Sequence, residues 1–540
     1  MIRILAALFA LGLAAPAMAQ PVVNAPAGSA RGEALDGVSV YRGLPYAQPP
    51  VGRLRWRPPV ALRPWQGTRD ATAFGPVCVQ PQPRPGSIYY EALPAMSEDC
   101  LTLNIWVPAN ARNAPVFVWI HGGALTTGAS RQAMYDGAAM ARRGIIVVSI
   151  NYRLGVLGYL AHPGLSAESR EGVSGNYGLL DQVAALRWLN RNIGAFGGNP
   201  NNVTIAGESA GALSVMYLMA VPQARGLFHK AILQSAYMVS APELRTTRYG
   251  GASAEQVGSI LMGLVGAPDL ASLRATPAEA LVNAAARTPY FPFVTVDGRH
   301  VPDQLVTLFD RGAQHRVPLI AGFNSGEIRS LRVLAPPPPA DAATYEATIR
   351  RLYGDLADEF LRLYPAGNLA ETVLLPPRDA LYGWTAERLA AKQTAAGTPA
   401  YFYYFDHSYP AADALNLRGF HAAEIPYAFG TMARAPEAWP RAPDTPAERA
   451  LSDAMLGYWT SFARSGTPSA EGQPAWQPYG TARHYMAFAG TPRPGTHLMP
   501  GMYELNEQVM CRRRAAGGIP WVWNVGIVSP PLPAGGPGCR

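Results

Sequence analysis

The chain has 540 residues, of which 49% are hydrophobic, and its formal net charge at pH 7 is +8. This apolar content is enough for a large buried core, and the lack of an internal repeat argues against a solenoid or propeller. Lys230 and Lys392 are the only lysines, and the arginines are scattered rather than gathered into a basic stripe. The charge therefore does not predict a nucleic-acid partner.

Residues 1–19 have the pattern of an export signal. Arg3 supplies a positive charge, residues 4–15 form an apolar run, and the small residues at 17–19 fit cleavage before Gln20. The apolar run is shorter than the roughly 20 residues that a membrane-spanning helix requires. We therefore expect an exported protein, periplasmic or secreted after cleavage near Ala19, without stable membrane insertion. The sequence does not predict its oligomeric state.

Strands and helices are predicted to alternate along the rest of the chain. Residues 115–120 and 144–150 are apolar runs rich in β-branched side chains, which predict strands buried on both faces of a sheet. A helix is predicted between them, over residues 131–143. Apolar residues at helical spacing predict a further helix over 179–193.

Further strands are predicted at residues 202–205, 230–234, 317–321 and 401–405. An apolar helix is predicted over 212–220. This alternation indicates an α/β fold, with a mostly parallel central sheet flanked by helices. The intervals 240–300 and 335–395 are rich in helix formers, and we expect them to form helical cap or lid insertions.

Ser209 lies at the centre of a Gly-x-Ser-x-Gly motif between the predicted strand at 202–205 and the predicted helix at 212–220. Such a turn is too sharp for large flanking side chains. Glycine at 207 and 211 relieves the clash and exposes the serine oxygen. The alternative is a glycine-rich turn with an unreactive serine, but the strand and helix on either side favour a nucleophile.

A serine that attacks an ester carbonyl also needs N–H donors for the oxyanion that forms. Gly122 and Gly123 follow the predicted strand at 115–120, and their backbone N–H groups can point inward because no Cβ blocks them. The N–H of Ala210, directly after Ser209, is a third donor. We therefore predict an oxyanion hole at Gly122, Gly123 and Ala210.

These motifs resemble those of the type-B carboxylesterases. Residues 196–200 (FGGNP) and 203–211 (VTIAGESAG) resemble the active-serine signature of that family, and residues 98–105 (EDCLTLNI) resemble its second signature. Shorter matches follow in the same order at residues 151–153, 175–178 and 462–463. The resemblance runs from about residue 21 to about residue 505.

The resemblance implies the α/β-hydrolase fold, in a single domain over residues 20–510 with a C-terminal extension over 511–540. It also implies hydrolysis of a small-molecule carboxylic ester, without a cofactor or metal, through an acyl-enzyme on Ser209.

The resemblance further implies a base and an acid for Ser209. His421 lies in RGFHAAEIPY at 418–427, which is similar to the loop of the family's catalytic histidine. Glu327 lies in GFNSGE at 322–327, similar to the segment of the catalytic acid, although its immediate neighbours depart from the usual family pattern. The order Ser209, Glu327, His421 agrees with that of α/β hydrolases. The alternatives are His407 for the base and Asp297 or Asp303 for the acid.

Glu208 also matches a family position, either as a group that polarises the site and helps to bind substrate or as a buried structural acid. Cys78 and Cys100 fall where the family has a loop-closing disulfide. Cys511 and Cys539 have no family counterpart, and only the even number of cysteines suggests that they pair. None of the four cysteines has a close cysteine or histidine at metal-ligand spacing, so no metal site is predicted.

The sequence indicates less about the acyl group of the substrate than about the reaction. Between Cys78 and Cys100 there is no tryptophan, which the cholinesterase branch places against choline, although Tyr89 and Tyr90 are present. Four arginines near the motifs suggest an anionic acyl group, because arginine binds carboxylates through paired donors. These arginines are Arg131, Arg329, Arg332 and Arg418.

In length, export signal and family, the chain resembles bacterial fumonisin esterases, which release tricarballylic acid. A tricarballylate-like acyl group is therefore one expectation. The other interpretations are a catalytically inactive adhesion or binding protein of the cholinesterase-like group and a secreted amidase or peptidase.

Overall fold

A computed structural model describes residues 20–83, 85–521, 524–536 and 538–539 of the chain. The predicted export signal at residues 1–19 lies outside the described residues. Within them, no helix is long and apolar enough to cross a membrane.

The strands are, in chain order, β1 (Val22–Ala25), β2 (Gly28–Arg31), β3 (Glu33–Leu35), β4 (Val38–Pro45), β5 (Thr68–Asp70), β6 (Val77–Cys78), β7 (Met96–Ser97), β8 (Thr102–Pro108), β9 (Ala114–Ile120), β10 (Ile146–Ile150), β11 (Gly198–Glu208), β12 (Lys230–Gln234), β13 (Leu319–Asn324), β14 (Ala400–Phe405), β15 (His484–Ala489) and β16 (Thr491–Thr496). One large sheet has the order β16-β15-β14-β13-β12-β11-β9-β10-β8-β4-β3. Every pairing from β15 through β10 is parallel, and the pairings beyond them are antiparallel. The predicted mostly parallel central sheet is confirmed.

The α-helices are α1 (Ala138–Arg142), α2 (Gly155–Tyr159), α3 (Pro163–Glu168), α4 (Tyr177–Asn192), α5 (Ala210–Ala220), α6 (Ala254–Leu264), α7 (Leu270–Ala275), α8 (Ala278–Ala285), α9 (Leu305–Asp310), α10 (Glu327–Ser330), α11 (Ala342–Tyr353), α12 (Ala357–Leu363), α13 (Leu369–Thr372), α14 (Leu375–Arg378), α15 (Trp384–Ala395), α16 (Pro410–Ala414), α17 (Ile425–Phe429), α18 (Pro446–Ser465) and α19 (Met502–Ala516). The interval 335–395 is largely helical, whereas in 240–300 the three helices α6, α7 and α8 are flanked by long irregular segments. Residue 510, where the sequence suggests the end of the hydrolase domain, lies inside α19.

The helix predicted over residues 131–143 is shorter than expected. Only α1, which begins at Ala138, is α-helical there, because the Asp136 side chain accepts the Ala138 N–H at 2.8 Å and starts the helix at that point. One turn of 3₁₀ helix, Ala133–Tyr135, precedes it.

The core lies on both faces of the large sheet, because its central strands are buried on both sides. In β9, Val116 and Val118 pack into one apolar cluster, while Phe117 and Trp119 pack into the cluster on the other face. Helix α5 is buried along its whole length against this sheet. The carboxyl ends of the parallel strands are thus held rigidly along one edge, which is where open α/β sheets place their functional sites.

Two disulfides close segments at opposite ends of the chain. Cys78 pairs with Cys100, as the family resemblance implies, and Cys511 pairs with Cys539, a pairing that the sequence left open. The chain after α19 contacts the helical interval 335–395. There the Leu532 N–H donates to the Leu352 carbonyl at 2.7 Å.

Candidate active site

Ser209 lies at the junction of β11 and α5, at the carboxyl end of a central parallel strand. Its backbone has φ 55° and ψ −123°, outside the regions that most non-glycine residues occupy. The Ser209 N–H donates to the Gln234 carbonyl at the end of neighbouring β12 (2.9 Å), which helps to hold this conformation. Ser209 is half-buried, whereas Glu208 and Ala210 on either side are buried. The strained turn therefore leaves Ser209 partly exposed between two buried neighbours.

Gly122 packs against the Ser209 turn from the loop after β9. A Cβ at residue 122 would meet the Glu208 carbonyl oxygen and Oε2 at 2.9 Å and the Ser209 Cβ at 3.2 Å, so only glycine allows this approach. Among the described residues, no acceptor is found for the N–H groups of Gly122 and Gly123. The Ala210 N–H is one of the donors at the start of a helix that have no partner within it. None of the three predicted oxyanion donors therefore has a hydrogen-bond partner among the described residues.

Glu327 and His421 are in direct contact, although 94 residues separate them in the chain. Glu327 begins α10 shortly after the end of β13, and His421 lies between α16 and α17, which follow the adjacent strand β14. Glu327 Oε2 and His421 Nδ1 form a short hydrogen bond, and both side chains are buried. A carboxylate at Nδ1 favours the tautomer in which Nε2 can accept a proton.

Glu208 places a second carboxyl group beside the imidazole. Its Oε1 lies 3.1 Å from His421 Nε2, yet this oxygen has no hydrogen-bond partner among the described residues, so the contact is electrostatic rather than a directed hydrogen bond. Burial raises the pKa of Glu208 to about 8. Burial also opposes the charged form of His421, but attraction to Glu208 and Glu327 outweighs it and raises the pKa of His421 to about 9.

A buried polar network supports the strands behind this pair. Glu424 accepts hydrogen bonds from Gln234 Nε2 (2.9 Å) and from Asn324 Nδ2. The Asn324 amide also donates to the Phe420 carbonyl (2.9 Å), and Trp459 Nε1 donates to Gln234 Oε1 (3.0 Å). The network connects β12 and β13 to the loop that carries His421, so the base and acid rest on one hydrogen-bonded scaffold.

The motifs and the fold of this chain are also found in known proteins. The model of the carboxylesterase family matches residues 19–502. The chain belongs to the carboxylesterase family. It is therefore a carboxylic-ester hydrolase, and the predicted α/β-hydrolase fold is confirmed.

Individual relatives of this carboxylesterase include two bacterial enzymes. The chain is 36% identical over 479 residues to the fumonisin B1 esterase of Sphingopyxis macrogoltabida, covering 84% of each chain. It is 35% identical over 469 residues to the para-nitrobenzyl esterase of Bacillus subtilis (strain 168), covering 84% of this chain and 92% of that one. A solved PNB esterase structure superimposes with a TM-score of 0.78 at 32% identity, over 90% of this chain and 99% of that chain.

Two of the arginines predicted to bind an anionic substrate have acidic neighbours in this carboxylesterase. Arg329 is buried in an ion pair with Glu371. Arg418 is 57% exposed, and its guanidinium lies 4.0 Å from the same carboxylate. Both line a cavity of about 300 Å³ together with Arg378, beside the segment that carries Glu327. Their positive charge is therefore at least partly neutralised by protein carboxylates.

Arg131 and Arg332 have different surroundings. The Arg131 guanidinium lies over the Phe74 ring, 5.1 Å from its centroid, and forms no ion pair with any described residue. Arg332 is exposed and likewise forms no ion pair with a described residue. Arg131 follows the oxyanion loop in the chain, and Arg332 follows Glu327.

The residues considered as alternatives for the triad are engaged elsewhere. His407 Nε2 lies 2.9 Å from Glu448 Oε2. Asp297 accepts the backbone N–H groups of its own turn, and Asp303 pairs with Arg311 at 3.3 Å. Across the described part of the chain, no group of three or more histidine, cysteine, aspartate or glutamate side chains could hold a metal ion.

Two residues that contact His421 were not predicted from the sequence for that role. Ser330 Oγ accepts the His421 N–H at 3.3 Å, and the Tyr89 hydroxyl donates to the His421 carbonyl at 2.8 Å. The sequence indicates only that Tyr89 is an aromatic residue between Cys78 and Cys100. Because 332 residues separate it from His421, no local pattern reveals the contact.

Proposed function

We propose that this carboxylesterase works by a two-step acyl transfer in which Ser209 is the nucleophile, His421 the general base and Glu327 the orienting acid. The observation that carries the proposal is the Glu327–His421 hydrogen bond, at the same edge of the sheet as the strained, half-buried Ser209. The loop of Gly122 packs against that serine and supplies backbone donors. Nucleophile, base, orienting group and oxyanion donors are the parts that acyl transfer requires.

In the first step, Ser209 Oγ attacks the ester carbonyl carbon while its proton passes to His421 Nε2. The N–H groups of Gly122, Gly123 and Ala210 stabilise the oxyanion of the tetrahedral intermediate. The intermediate collapses as the bond to the alkoxy oxygen breaks, and His421 returns the proton to the departing alcohol. Water then attacks the acyl-enzyme with the same proton transfers, releasing the acid and free Ser209.

The decisive experiment compares Ser209→Ala with Ser214→Ala, which alters a serine one turn further along α5. Burst kinetics with a p-nitrophenyl ester and covalent labelling by an organophosphate probe are the readouts. We expect Ser209→Ala to lose both the burst and the label, with activity reduced by many orders of magnitude, while Ser214→Ala keeps both. Esterase activity that survives in Ser209→Ala would disprove the assignment.

We also propose that the acyl group is anionic, in the manner of tricarballylate. Two observations support this: a relative is named fumonisin B1 esterase, and Arg131 has no acidic partner among the described residues. The test compares a tricarballylate ester with a neutral p-nitrophenyl ester in the wild type, Arg131→Ala and Arg418→Ala. A selective loss of activity toward the anionic ester in Arg131→Ala would support the proposal. Activity toward that ester that is unchanged in both variants would refute it. An amide series in the same assay tests the amidase alternative.

Export is proposed from the pattern at residues 1–19 and from the two disulfides, which form in oxidising compartments. Expression of the full chain with its leader, followed by mass spectrometry of the periplasmic and culture fractions, should give a mature protein that begins at Gln20. Intact residues 1–19 in a cytoplasmic product would contradict this.

A further inference from the structure

The middle of the loop closed by Cys78 and Cys100 contacts His421, the proposed base. Tyr89 lies halfway along the 22-residue separation of the two cysteines. Its hydroxyl donates to the His421 carbonyl oxygen at 2.8 Å and also lies 2.8 Å from Ser330 Oγ. Ser330 Oγ in turn accepts the His421 N–H at 3.3 Å. Both backbone polar groups of His421 are therefore held by side chains from outside its own loop.

The Tyr89 ring braces the same loop through aromatic packing. It meets the ring of Trp439 edge-on, with centroids 6.0 Å apart and an interplanar angle of 81°. Trp439 packs in the same manner on Phe420, the residue before His421, at 5.0 Å. The Tyr89 hydroxyl thus binds His421 directly, while its ring supports the preceding residue, Phe420, through Trp439.

The loop that carries His421 needs such support because its backbone is strained. Arg418 has φ 52° and Ala422 has φ 71°, so left-handed residues lie on both sides of the base. Non-glycine residues keep these conformations only where surrounding contacts fix them. Tyr89 and Ser330 supply such contacts at His421 itself.

The same disulfide loop also contacts the segment after the oxyanion glycines. Gln80 Nε2 donates to the Gly128 carbonyl (2.9 Å), and the Gly128 N–H donates back to Gln80 Oε1 (2.8 Å). Further along, Gln132 Nε2 donates to Glu91 Oε2 (2.9 Å). One covalently closed loop therefore touches both the base side and the oxyanion side of the site.

We propose that Tyr89 is a positioning residue for ester hydrolysis, which fixes the backbone of His421 and so aims its imidazole between Glu327 and Ser209. The inference rests on the proposed function of that triad. Burial raises the pKa of the Tyr89 phenol well above its usual value, so the hydroxyl stays a donor throughout the working range of pH.

The test compares Tyr89→Phe with Tyr90→Phe, which removes the hydroxyl of the adjacent, exposed tyrosine of the same loop. We expect Tyr89→Phe to lower kcat for a small neutral ester by about tenfold, the worth of one hydrogen bond, with KM changed by less than about twofold. The kinetic pKa of the base should fall toward the ordinary histidine value as His421 loses its fixed place beside two carboxylates. Tyr90→Phe should match the wild type in all three quantities.

A Tyr89→Phe enzyme that matches Tyr90→Phe, or that changes only KM, would overturn the proposal. If Tyr89→Phe does not fold, Ser330→Ala takes its place, because it removes the neighbouring hydroxyl that holds the His421 N–H; an unchanged kcat and pH profile in that variant would equally overturn it. His421→Ala distinguishes a failure of the proposed triad from a failure of the proposed role of Tyr89. Its failure to abolish activity would disprove the triad itself, whereas an inactive His421→Ala beside an unaffected Tyr89→Phe would disprove only the role of Tyr89.

Discussion

Glu327 Oε1 accepts the backbone N–H of Asn324 at 2.8 Å, while Oε2 of the same carboxylate holds Nδ1 of His421. Both oxygens of this buried side chain therefore face N–H donors. The carboxylate is fixed in one orientation by its own strand end, since Asn324 is the last residue of β13. An isosteric amide cannot satisfy both positions, because one of its two ends is a donor.

Glu327→Gln is accordingly expected to lower kcat by about four orders of magnitude, as loss of the triad acid does in other serine hydrolases. If the amide oxygen stays against the Asn324 N–H, its NH2 group faces Nδ1 and forces the imidazole tautomer that cannot accept the Ser209 proton. Steady-state kinetics on the purified variant measure the loss. Asp303→Asn is the control, and equal activity in the two variants would remove Glu327 from the triad.

The charge of Glu208 should appear in the pH dependence of the reaction. A general base must be neutral to take a proton, so a His421 pKa of about 9 places the rise of kcat/KM above the ordinary histidine range. Glu208→Gln removes one of the attracting charges, lowers the pKa of His421, and should move this rise to lower pH. The maximal rate should also fall, because the imidazolium formed in the transition state loses a neighbouring anion.

The matched control for Glu208 is Glu437→Gln, which alters an exposed glutamate. Complete pH profiles of kcat/KM for the two variants and the wild type give the comparison. An unchanged profile in Glu208→Gln would identify Glu208 as a purely structural acid.

The fold class could be predicted from the sequence, and so could candidate positions for the triad, because both depend on local patterns. The strand and helix around Ser209 can be recognised within 20 residues, and Glu327 and His421 each lie in a short motif of the carboxylesterases. Contacts made by tertiary packing could not be predicted. Arg329, which the sequence suggested for an anionic substrate, forms a buried ion pair with Glu371, 42 residues away, and no local pattern reveals that contact. The contact of Tyr89 with His421 is hidden from the sequence for the same reason.

Gly122→Ala tests the close approach of the oxyanion loop to the nucleophile. The added methyl group would lie 2.9 Å from the Glu208 carbonyl oxygen and 3.2 Å from the Ser209 Cβ, so the loop must move and its N–H groups with it. We expect kcat to fall by about a hundredfold, the lower end for loss of one oxyanion donor. Gly194→Ala is the control, since a Cβ there meets nothing within 4 Å. Similar kcat values in both variants would place the oxyanion hole elsewhere.

Removing each disulfide in turn distinguishes an effect on stability from an effect on catalysis. They span 22 and 28 residues, so loop-closure entropy assigns each a similar contribution of about 3 kcal/mol. The double variants Cys78→Ser/Cys100→Ser and Cys511→Ser/Cys539→Ser should therefore lose comparable free energy of unfolding in urea. Only the first releases the loop that carries Tyr89, so only the first should lower kcat at a temperature where both variants are folded. Equal losses of kcat in the two variants would mean that the Cys78–Cys100 loop acts on the site through global stability alone.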